Sequence, residues 1–264
     1  MKRLATALLN RDVFLVNNRE YTSRLFQCFG DPHTVVTISI ILKLLRKSGT
    51  QFLMINTHTI KKVKSKSALL LGYTNITLDQ ISKIIDTSAY TILINTNLAE
   101  SEREAVSRAV LASSISGNNI IKLEVLNKEH TLPINKKVIK AAKTLISKGY
   151  EVMPLINANL QDAKELQEIG CSLIRVIGSP IGSMKGVKDS ATIKEICQTL
   201  SIPVIVDGGI GSPQNVTKAM ALGATGVLVN KAVFASKNPV FTIEQMKYAT
   251  ILGRMLYLKG RSHG

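Results

Sequence analysis

The amino-acid sequence predicts an α/β fold, a (β/α)8 TIM barrel with a short N-terminal β-hairpin. From residue 90 onward, short apolar strands alternate with amphipathic helices, which is the pattern of a parallel sheet. Eight candidate barrel strands can be counted, and eight strand–helix units suit a chain of 264 residues. We therefore expect residues 1–264 to form a single barrel domain. An open doubly wound sheet is the alternative.

The first 90 residues contain an N-terminal extension and the first two barrel strands. Residues 1–23 form the extension, in which FLVNNREYTS (14–23) reads as a hairpin with Asn17 and Asn18 at its tip. Barrel strands are expected at 24–28 and 52–56, on either side of a helix in VVTISIILKLLRKS.

The other six strands each precede a helix with recognisable boundaries. They are predicted at 91–95, 120–125, 151–155, 173–177, 203–206 and 226–229. The helix after the third strand ends at Gly117, and Asn135 is the expected N-cap of the next one. Ser212 and Pro213 begin the helix after the seventh strand, and Gly223 ends it.

The chain is strongly basic, with 34 lysines and arginines against 18 acidic residues and a net charge of +16. Such a charge suits nucleic acid, an acidic protein partner or an anionic substrate. The densest basic run is KKVKSK, from Lys61 to Lys66. Aromatic residues make up only 5% of the chain and do not interleave with the basic ones as a base-stacking surface requires. We therefore do not expect nucleic acid to be the main partner.

Cysteines, histidines and hydropathy point to a reduced compartment and to no metal site. Cys28, Cys171 and Cys197 lie far apart, without ligand spacing, and the four histidines are dispersed. No apolar run reaches the roughly 20 residues of a membrane span, and MKRLATALLNRD lacks a signal-peptide core. We expect a cytoplasmic protein, or one of the plastid stroma if it is organellar.

One strand carries charges where apolar residues are expected. In IIKLEVL (120–126), Lys122 and Glu124 share one face of the strand, and that face is enclosed if the sheet closes into a barrel. A lysine that loses hydration has a lowered pKa, and its neutral amine forms imines with carbonyl substrates. Glu124, nearer the mouth, can move protons during that chemistry. The alternative is a buried ion pair without a reaction.

The ends of later strands add a second carboxylate and a phosphate site. Asp207 ends PVIVD, and glycine-rich loops follow strands six and seven, where backbone N–H groups can approach an anion. The candidate substrate- and phosphate-binding residues are Gly178, Ser179, Ile181, Gly182, Gly209, Ile210, Gly211, Asn230 and Lys231. Together with Lys122, these loops predict an imine-forming enzyme that acts on a phosphorylated carbonyl compound.

Four segments carry a family resemblance: IKLEV, GSPIGS, PVIVDGGIGSPQNVTKAMALGATGVLVNKA and GRMLYLKGR. Between about residues 90 and 261 the sequence resembles thiazole synthase of bacterial and plastid thiamin biosynthesis. The resemblance implies a (β/α)8 barrel that converts 1-deoxy-D-xylulose 5-phosphate, dehydroglycine and a sulfur-carrier thiocarboxylate into a thiazole phosphate carboxylate. It places the imine lysine at Lys122 and the acid/base carboxylates at Glu124 and Asp207. It also implies no cofactor, a small acidic sulfur-carrier partner and a homo-oligomer, either a dimer or a tetramer.

The first three strand ends depart from the pattern of that family. Cys28 to His33 stand where the family has Gly-Thr-Gly-Lys-Tyr, and Asn56-Thr57-His58 stand where it has paired arginines. The segment after strand three reads Ile94-Asn95-Thr96-Asn97-Leu98 instead of Pro-Asn-Thr-Ala-Gly. These changes leave two alternatives open. One is a lysine-imine enzyme for another sugar phosphate, such as a thiosugar synthase, and the other is a non-catalytic phosphate-binding barrel.

Overall fold

A computed structural model describes residues 12–30, 34–60 and 65–261. The start of the predicted extension, the Asp31–His33 segment, Lys61 to Lys64 of the basic run and His263 lie outside the described residues. The predicted hairpin is present as β1 (Phe14–Val16) and β2 (Arg19–Tyr21), with Asn17 and Asn18 at positive φ in its turn. No helix in the described parts of the chain is long and apolar enough to cross a membrane.

All eight predicted barrel strands are present, within two residues of the predicted bounds. They are β3 (Leu25–Gln27), β4 (Phe52–Asn56), β6 (Thr91–Asn95), β7 (Ile120–Leu123), β8 (Glu151–Ile156), β9 (Ile174–Ile177), β10 (Val204–Asp207) and β11 (Gly226–Val229). A short additional strand that the sequence did not predict, β5 (Leu70–Leu71), runs antiparallel to β4.

The helices surround these strands. They are α1 (Ile38–Ser48), α2 (Leu78–Ser82), α3 (Glu102–Ser116), α4 (Asn135–Ser147), α5 (Leu160–Glu168), α6 (Ser190–Thr199), α7 (Pro213–Ala221), α8 (Lys231–Phe234) and α9 (Pro239–Arg261). Ser212 caps α7 as predicted, because its side chain accepts a hydrogen bond from the Asn215 amide. The predicted Asn135 cap is wrong. Asn135 is the first residue of α4, and its side chain instead bonds the backbone of Asn157.

The sheet order identifies a barrel rather than a doubly wound sheet. Hydrogen-bonded neighbours follow the order β3-β11-β10-β9-β8-β7-β6-β4-β5, so the first barrel strand pairs with the last. A doubly wound sheet would reverse its strand order part-way along the chain. Because every barrel strand runs in the same direction, all the carboxyl ends meet at one mouth.

Side chains and β5 close the seam between β3 and β4, where no ladder is present in the described residues. Phe26 stacks on Phe52 with ring centroids 4.1 Å apart. Near the mouth, the backbone after β5 crosses the seam, and the Tyr73 amide donates to the Phe29 carbonyl at 2.7 Å. Gly72 makes this crossing possible: its φ is +59°, and a Cβ there would lie 2.0 Å from the Phe29 oxygen.

The N-terminal hairpin fills the end of the barrel opposite the mouth. Phe14, Val16 and Tyr21 belong to the same buried apolar cluster as the inward-facing residues of the barrel strands. Tyr21 stacks on Phe52 at 4.6 Å, which extends the aromatic contact of the seam downward. The hairpin therefore completes the barrel core, and the polar residues of the interior gather at the other end.

Candidate active site

Four charged side chains form a buried cluster at the mouth end of the barrel interior. Lys122 lies on β7 and Glu124 directly after it, Arg175 on β9 and Asp207 at the end of β10. None of them exposes more than 6% of its surface. Lys122 Nζ contacts Glu124 Oε1 and lies 3.7 Å from Asp207 Oδ2. The structure thus brings together the three residues that the sequence predicted to be catalytic.

Arg175 holds the two carboxylates in place. Its Nη1 donates to Glu124 Oε1 at 3.1 Å and to Asp207 Oδ2 at 2.5 Å. Its Nε and Nη2 donate to the carbonyls of Met153 and Leu123. These bonds fix the planar guanidinium against two neighbouring strands, which gives the carboxylates a rigid partner. Arg175 was not predicted as a site residue, although a charged residue inside the apolar run SLIRVIG is the same signal that indicates Lys122.

The cluster pairs two cations with two carboxylates, and this balance governs the ionisation of Glu124. Burial alone would raise the pKa of the Glu124 carboxyl, but the charges of Lys122 and Arg175 and their hydrogen bonds lower that pKa below its ordinary value of 4.5. Glu124 is therefore a carboxylate at neutral pH. It contacts the lysine amine directly, so it can accept a proton from the ammonium form.

This lowered pKa predicts how stability depends on pH. A group whose pKa is lower in the folded than in the unfolded state contributes stability above its unfolded pKa and loses it as the pH falls through the folded one. In urea unfolding at a series of pH values, Glu124→Gln should therefore make the free energy of unfolding fall less steeply below pH 4.5. Glu168→Gln, at an exposed position, is the control. Equal slopes for the wild type and Glu124→Gln would show that the cluster does not hold Glu124 ionised.

A cavity of about 330 Å³ opens above this cluster, and Asp207 lies in its lining. Part of its wall comes from the loops after β9, β10 and β11, including Gly182, Gly209 and Lys231. Lys122 lies behind Asp207, as a neighbour of that carboxylate rather than a lining residue. Among the four charged residues of the cluster, Asp207 is therefore the one that a substrate in the cavity contacts.

The loops after β9 and β10 pack tightly on each other. The Gly186 amide donates to the Gly209 carbonyl at 2.7 Å. Gly209 has a φ of +73°, and a Cβ there would lie 1.8 Å from Ser179 Oγ. Only glycine fits this position, because both the backbone conformation and the contact exclude a side chain. The glycines that predicted anion binding thus also serve the packing of the two loops.

Several groups on these loops remain available to an anion. Among the described residues, the amides of Gly182, Gly209 and Ile210 donate to no protein acceptor. Lys231 is exposed and lines the cavity, with its side chain beside Gly182. The N-terminus of α7 follows directly after the loop and favours negative charge. This wall has the chemistry of a phosphate site.

The other predicted loop residues contribute in different ways. The Ile181 amide donates to the Thr131 carbonyl at 2.8 Å, so its apolar side chain is what it offers to the cavity. The Gly211 amide donates to Asn215 Oδ1 at 3.1 Å. Gly178 makes room for the Gly208 carbonyl, which would lie 2.9 Å from a Cβ there. Asn230 lines the cavity with its buried Oδ1 unpaired.

Comparison with known proteins identifies the family. The model of the family described as thiazole biosynthesis protein ThiG matches residues 15–263. The chain belongs to the ThiG family. The match begins well before residue 90, so it includes the strands whose ends depart from the expected pattern.

Curated relatives and a solved structure agree with this assignment to the ThiG family. The thiazole synthase of Geobacter metallireducens is 33% identical over 251 residues, which cover 95% of this chain and 91% of the relative. That of Gracilaria tenuistipitata var. liui is 34% identical over 254 residues, covering 94% and 87%. One chain of the Amycolatopsis orientalis BexX/CysO complex superposes with a TM-score of 0.80 at 29% identity, covering 93% of this chain and 95% of that one.

The departures from the ThiG pattern form another part of the mouth. Tyr73, from the segment after β5, lines the cavity, and His58 stacks on its ring at 6.0 Å. The Asn97 side-chain amide lies 3.2 Å from His58 Nδ1, within hydrogen-bond distance. Burial raises the pKa of Tyr73 and lowers that of His58, so both side chains are neutral at pH 7. This wall offers uncharged hydrogen-bonding groups where the family pattern has arginines.

Cys28 lies inside the barrel near the cluster, where burial disfavours its thiolate form. Burial raises the pKa of its thiol to about 12, so the reactive thiolate is not populated at neutral pH. Its Sγ contacts Met54 Sδ at 2.9 Å across the β3–β4 seam. Within the described ranges, no three acidic, histidine or cysteine side chains are grouped as metal ligands.

Proposed function

We propose that this protein is a thiazole synthase that forms an imine between Lys122 and the ketone of 1-deoxy-D-xylulose 5-phosphate. One observation carries the proposal: a buried lysine contacts one carboxylate and neighbours a second, which lines a cavity with a phosphate-type wall. Family membership supports the reaction class, since the curated relatives are named thiazole synthases. We further propose that residues 1–264 form one (β/α)8 domain.

The two carboxylates have different tasks in this proposal. Glu124 contacts the amine, so it takes the proton that Lys122 must lose before it attacks the ketone. Asp207 lines the cavity and therefore faces the carbon skeleton of the bound sugar. Asp207 removes and returns the protons that carry the imine through its enamine to a C3 ketone. The carrier thiocarboxylate then supplies sulfur, and condensation with dehydroglycine closes the ring. No metal or organic cofactor enters these steps.

The phosphate of the substrate binds at the wall made by the loops after β9, β10 and β11. The amides of Gly209 and Ile210 and the ammonium of Lys231 are its expected partners. The polar wall with Tyr73 is left for the sugar hydroxyls. In this proposal the ketone lies between the phosphate site and Lys122.

Substitution of Lys231 tests the phosphate site. Lys231→Ala should raise the dissociation constant for deoxyxylulose phosphate by about 10-fold, the effect of losing one charge-assisted hydrogen bond. Isothermal titration calorimetry measures this directly. Lys185→Ala removes an equally exposed lysine of the same mouth that does not line the cavity, and should change the constant less than about 2-fold. If both substitutions raised the dissociation constant equally, the loss of affinity would reflect the overall positive charge and not a contact of Lys231 with the phosphate.

The basic charge suits the expected sulfur donor. Opposite charge accelerates encounter, and a protein with a net charge of +16 should attract a small acidic carrier. The structurally similar BexX was solved in complex with the protein CysO, which supports a protein partner for this barrel. We also propose that the protein is a homo-oligomer, either a dimer or a tetramer, and that it acts in the cytoplasm or in the plastid stroma.

Reconstitution tests the whole proposal. The protein is incubated with deoxyxylulose phosphate, dehydroglycine and the carrier thiocarboxylate, and mass spectrometry detects the thiazole phosphate carboxylate. The altered wall around Tyr73, His58 and Asn97 favours one second candidate, an imine enzyme for another sugar phosphate. Product from a different ketose or aldose phosphate alone would support that candidate. Binding without product from any sugar phosphate would leave a phosphate-binding barrel.

A further inference from the structure

Two buried asparagines beside Lys122 have polar atoms without partners. Asn56 ends β4 and Asn95 ends β6, and at most 3% of either is exposed. Met54 and Leu93, two residues earlier on the same strands, belong to the interior cluster, so both amides face into the barrel. In the ladder between β6 and β7, Asn95 is the residue directly opposite Lys122.

The two amides bond each other and leave a complementary pair of atoms. Asn95 Nδ2 donates to Asn56 Oδ1 at 3.0 Å, while Asn56 Nδ2 and Asn95 Oδ1 have no partner. The assignment of oxygen and nitrogen in these side-chain amides could be reversed. Reversing one amide alone would bring two nitrogens or two oxygens together, and reversing both again leaves one amide nitrogen and one amide oxygen unpaired. The unpaired set is therefore one NH2 group, which donates, and one carbonyl oxygen, which accepts, in either assignment.

This set matches a hydroxyl group or a water molecule, which donates one hydrogen bond and accepts another. It does not match a phosphate, which needs donors only. Buried amide groups are ordinarily satisfied, and two neighbouring exceptions inside the barrel, on strands beside Lys122, call for a ligand. Because Asn95 is opposite Lys122 in the ladder, the ligand that fits best is a hydroxyl on the carbon that the amine attacks, or the water that leaves from it.

We propose that Asn56 and Asn95 bind the hydroxyl of the carbinolamine formed at Lys122 and the water that leaves from it. The inference rests on the proposed imine chemistry. Glu124 takes a proton from the lysine ammonium, and the neutral amine adds to the ketone carbon, so that an N–C bond forms and the C=O π bond breaks. The nitrogen, now positively charged, then gives one of its own protons to the former carbonyl oxygen, which yields the neutral carbinolamine. Glu124 then returns its proton to the resulting hydroxyl. The C–O bond breaks, water leaves, and the nitrogen lone pair forms the iminium, so one cation is present before and after.

The amide pair favours this step because it holds the oxygen through both stages. Asn95 accepts from the hydroxyl and Asn56 donates to its oxygen. As the oxygen becomes water it needs the same two partners, so the site requires no rearrangement while the C–O bond breaks. Asn56 and Asn95 thereby act on a reacting atom, away from the phosphate wall.

The test measures the rate of imine formation separately from substrate affinity. Wild type, Asn56→Leu and Asn95→Leu are mixed with deoxyxylulose phosphate, quenched with borohydride at timed intervals and followed by intact mass. Affinity is measured with the corresponding sugar alcohol phosphate, which cannot form an imine. Thr50→Val, at a buried position just before β4, is the matched control for replacing a buried polar group by an apolar one of similar shape.

We expect each leucine variant to trap the adduct about 10- to 100-fold more slowly, with affinity for the alcohol within about 2-fold of wild type. Thr50→Val should retain the wild-type rate. If the leucine variants do not fold, Asn56→Ala and Asn95→Ala replace them, and each should slow trapping at least about 5-fold. Trapping within 2-fold of wild type, or an equal loss of affinity for the alcohol, would overturn the role of the pair. No adduct even in wild type would instead overturn the proposed function itself.

Discussion

Replacing Lys122 by alanine is expected to lower the rate of thiazole formation by about 1,000-fold or more. Lys122 is the amine that contacts Glu124 and neighbours Asp207, and the proposed reaction proceeds through its imine. Removing a nucleophile abolishes the covalent path and leaves only what binding and the remaining groups supply. The rate is measured in the reconstituted assay with saturating deoxyxylulose phosphate and carrier thiocarboxylate.

The variant Lys122→Arg distinguishes the role of Lys122 as a nucleophile from its role as a positive charge. Arginine keeps a cation between the two carboxylates but is not deprotonated in proteins, so it forms no imine. We expect Lys122→Arg to be as inactive as Lys122→Ala while binding the sugar phosphate with nearly wild-type affinity. If Lys122→Arg retained more than a tenth of the activity, Lys122 would be a structural cation and the buried ion pair would have no reaction attached.

Arg175→Met is expected to lower the free energy of unfolding by about 3–5 kcal/mol, the cost of removing one partner from a buried ion pair. Arg175 exposes 2% of its surface and bonds both Glu124 and Asp207. Without it, two buried carboxylates face a single lysine, and both the charge balance and the two backbone bonds of the guanidinium are lost. Urea unfolding of the purified variant measures the difference.

The matched control makes the same substitution at a more exposed arginine. Arg254 pairs with Asp12 at 2.9 Å near the surface, where Asp12 also bonds Arg24. The side chains of that pair are 21% and 23% exposed, against 3% and 9% for Arg175 and Asp207. Because the pair is more exposed and Asp12 keeps Arg24 as a partner, Arg254→Met should cost only about 1 kcal/mol. Similar losses at Arg175 and Arg254 would mean that the buried cluster does not stabilise the barrel in the way its geometry indicates.

Part of the active site could be predicted from the sequence because charges in apolar strands are conspicuous. Lys122 and Glu124 lie two residues apart in IIKLEVL, so their side chains share one face of the strand. In a closed barrel that face points into the interior. Asp207 was found because it ends the apolar run PVIVD. Arg175 interrupts the apolar run SLIRVIG in the same way, so the same signal indicates that its side chain also lies inside the barrel.

Other parts of the site could not be predicted, because they depend on packing. Tyr73 reaches the cavity through the unpredicted crossing after β5, in a segment without strong periodicity. Gly209 was read as an anion-binding glycine, but its contact with Ser179 shows a packing requirement that no sequence pattern reveals. Asn135 has the right residue type for a cap, yet its tertiary bonds to Asn157 outcompete that local role.

Intact-mass analysis after borohydride reduction tests the central claim most directly. Wild-type protein and Lys122→Arg are incubated with deoxyxylulose phosphate alone, reduced, weighed by mass spectrometry and digested to locate the modified residue. The imine at Lys122 predicts one substrate-derived adduct per chain, on the peptide that contains Lys122, in the wild type only. An adduct on another lysine, or none with any sugar phosphate, would contradict the assignment of Lys122 as the reactive amine.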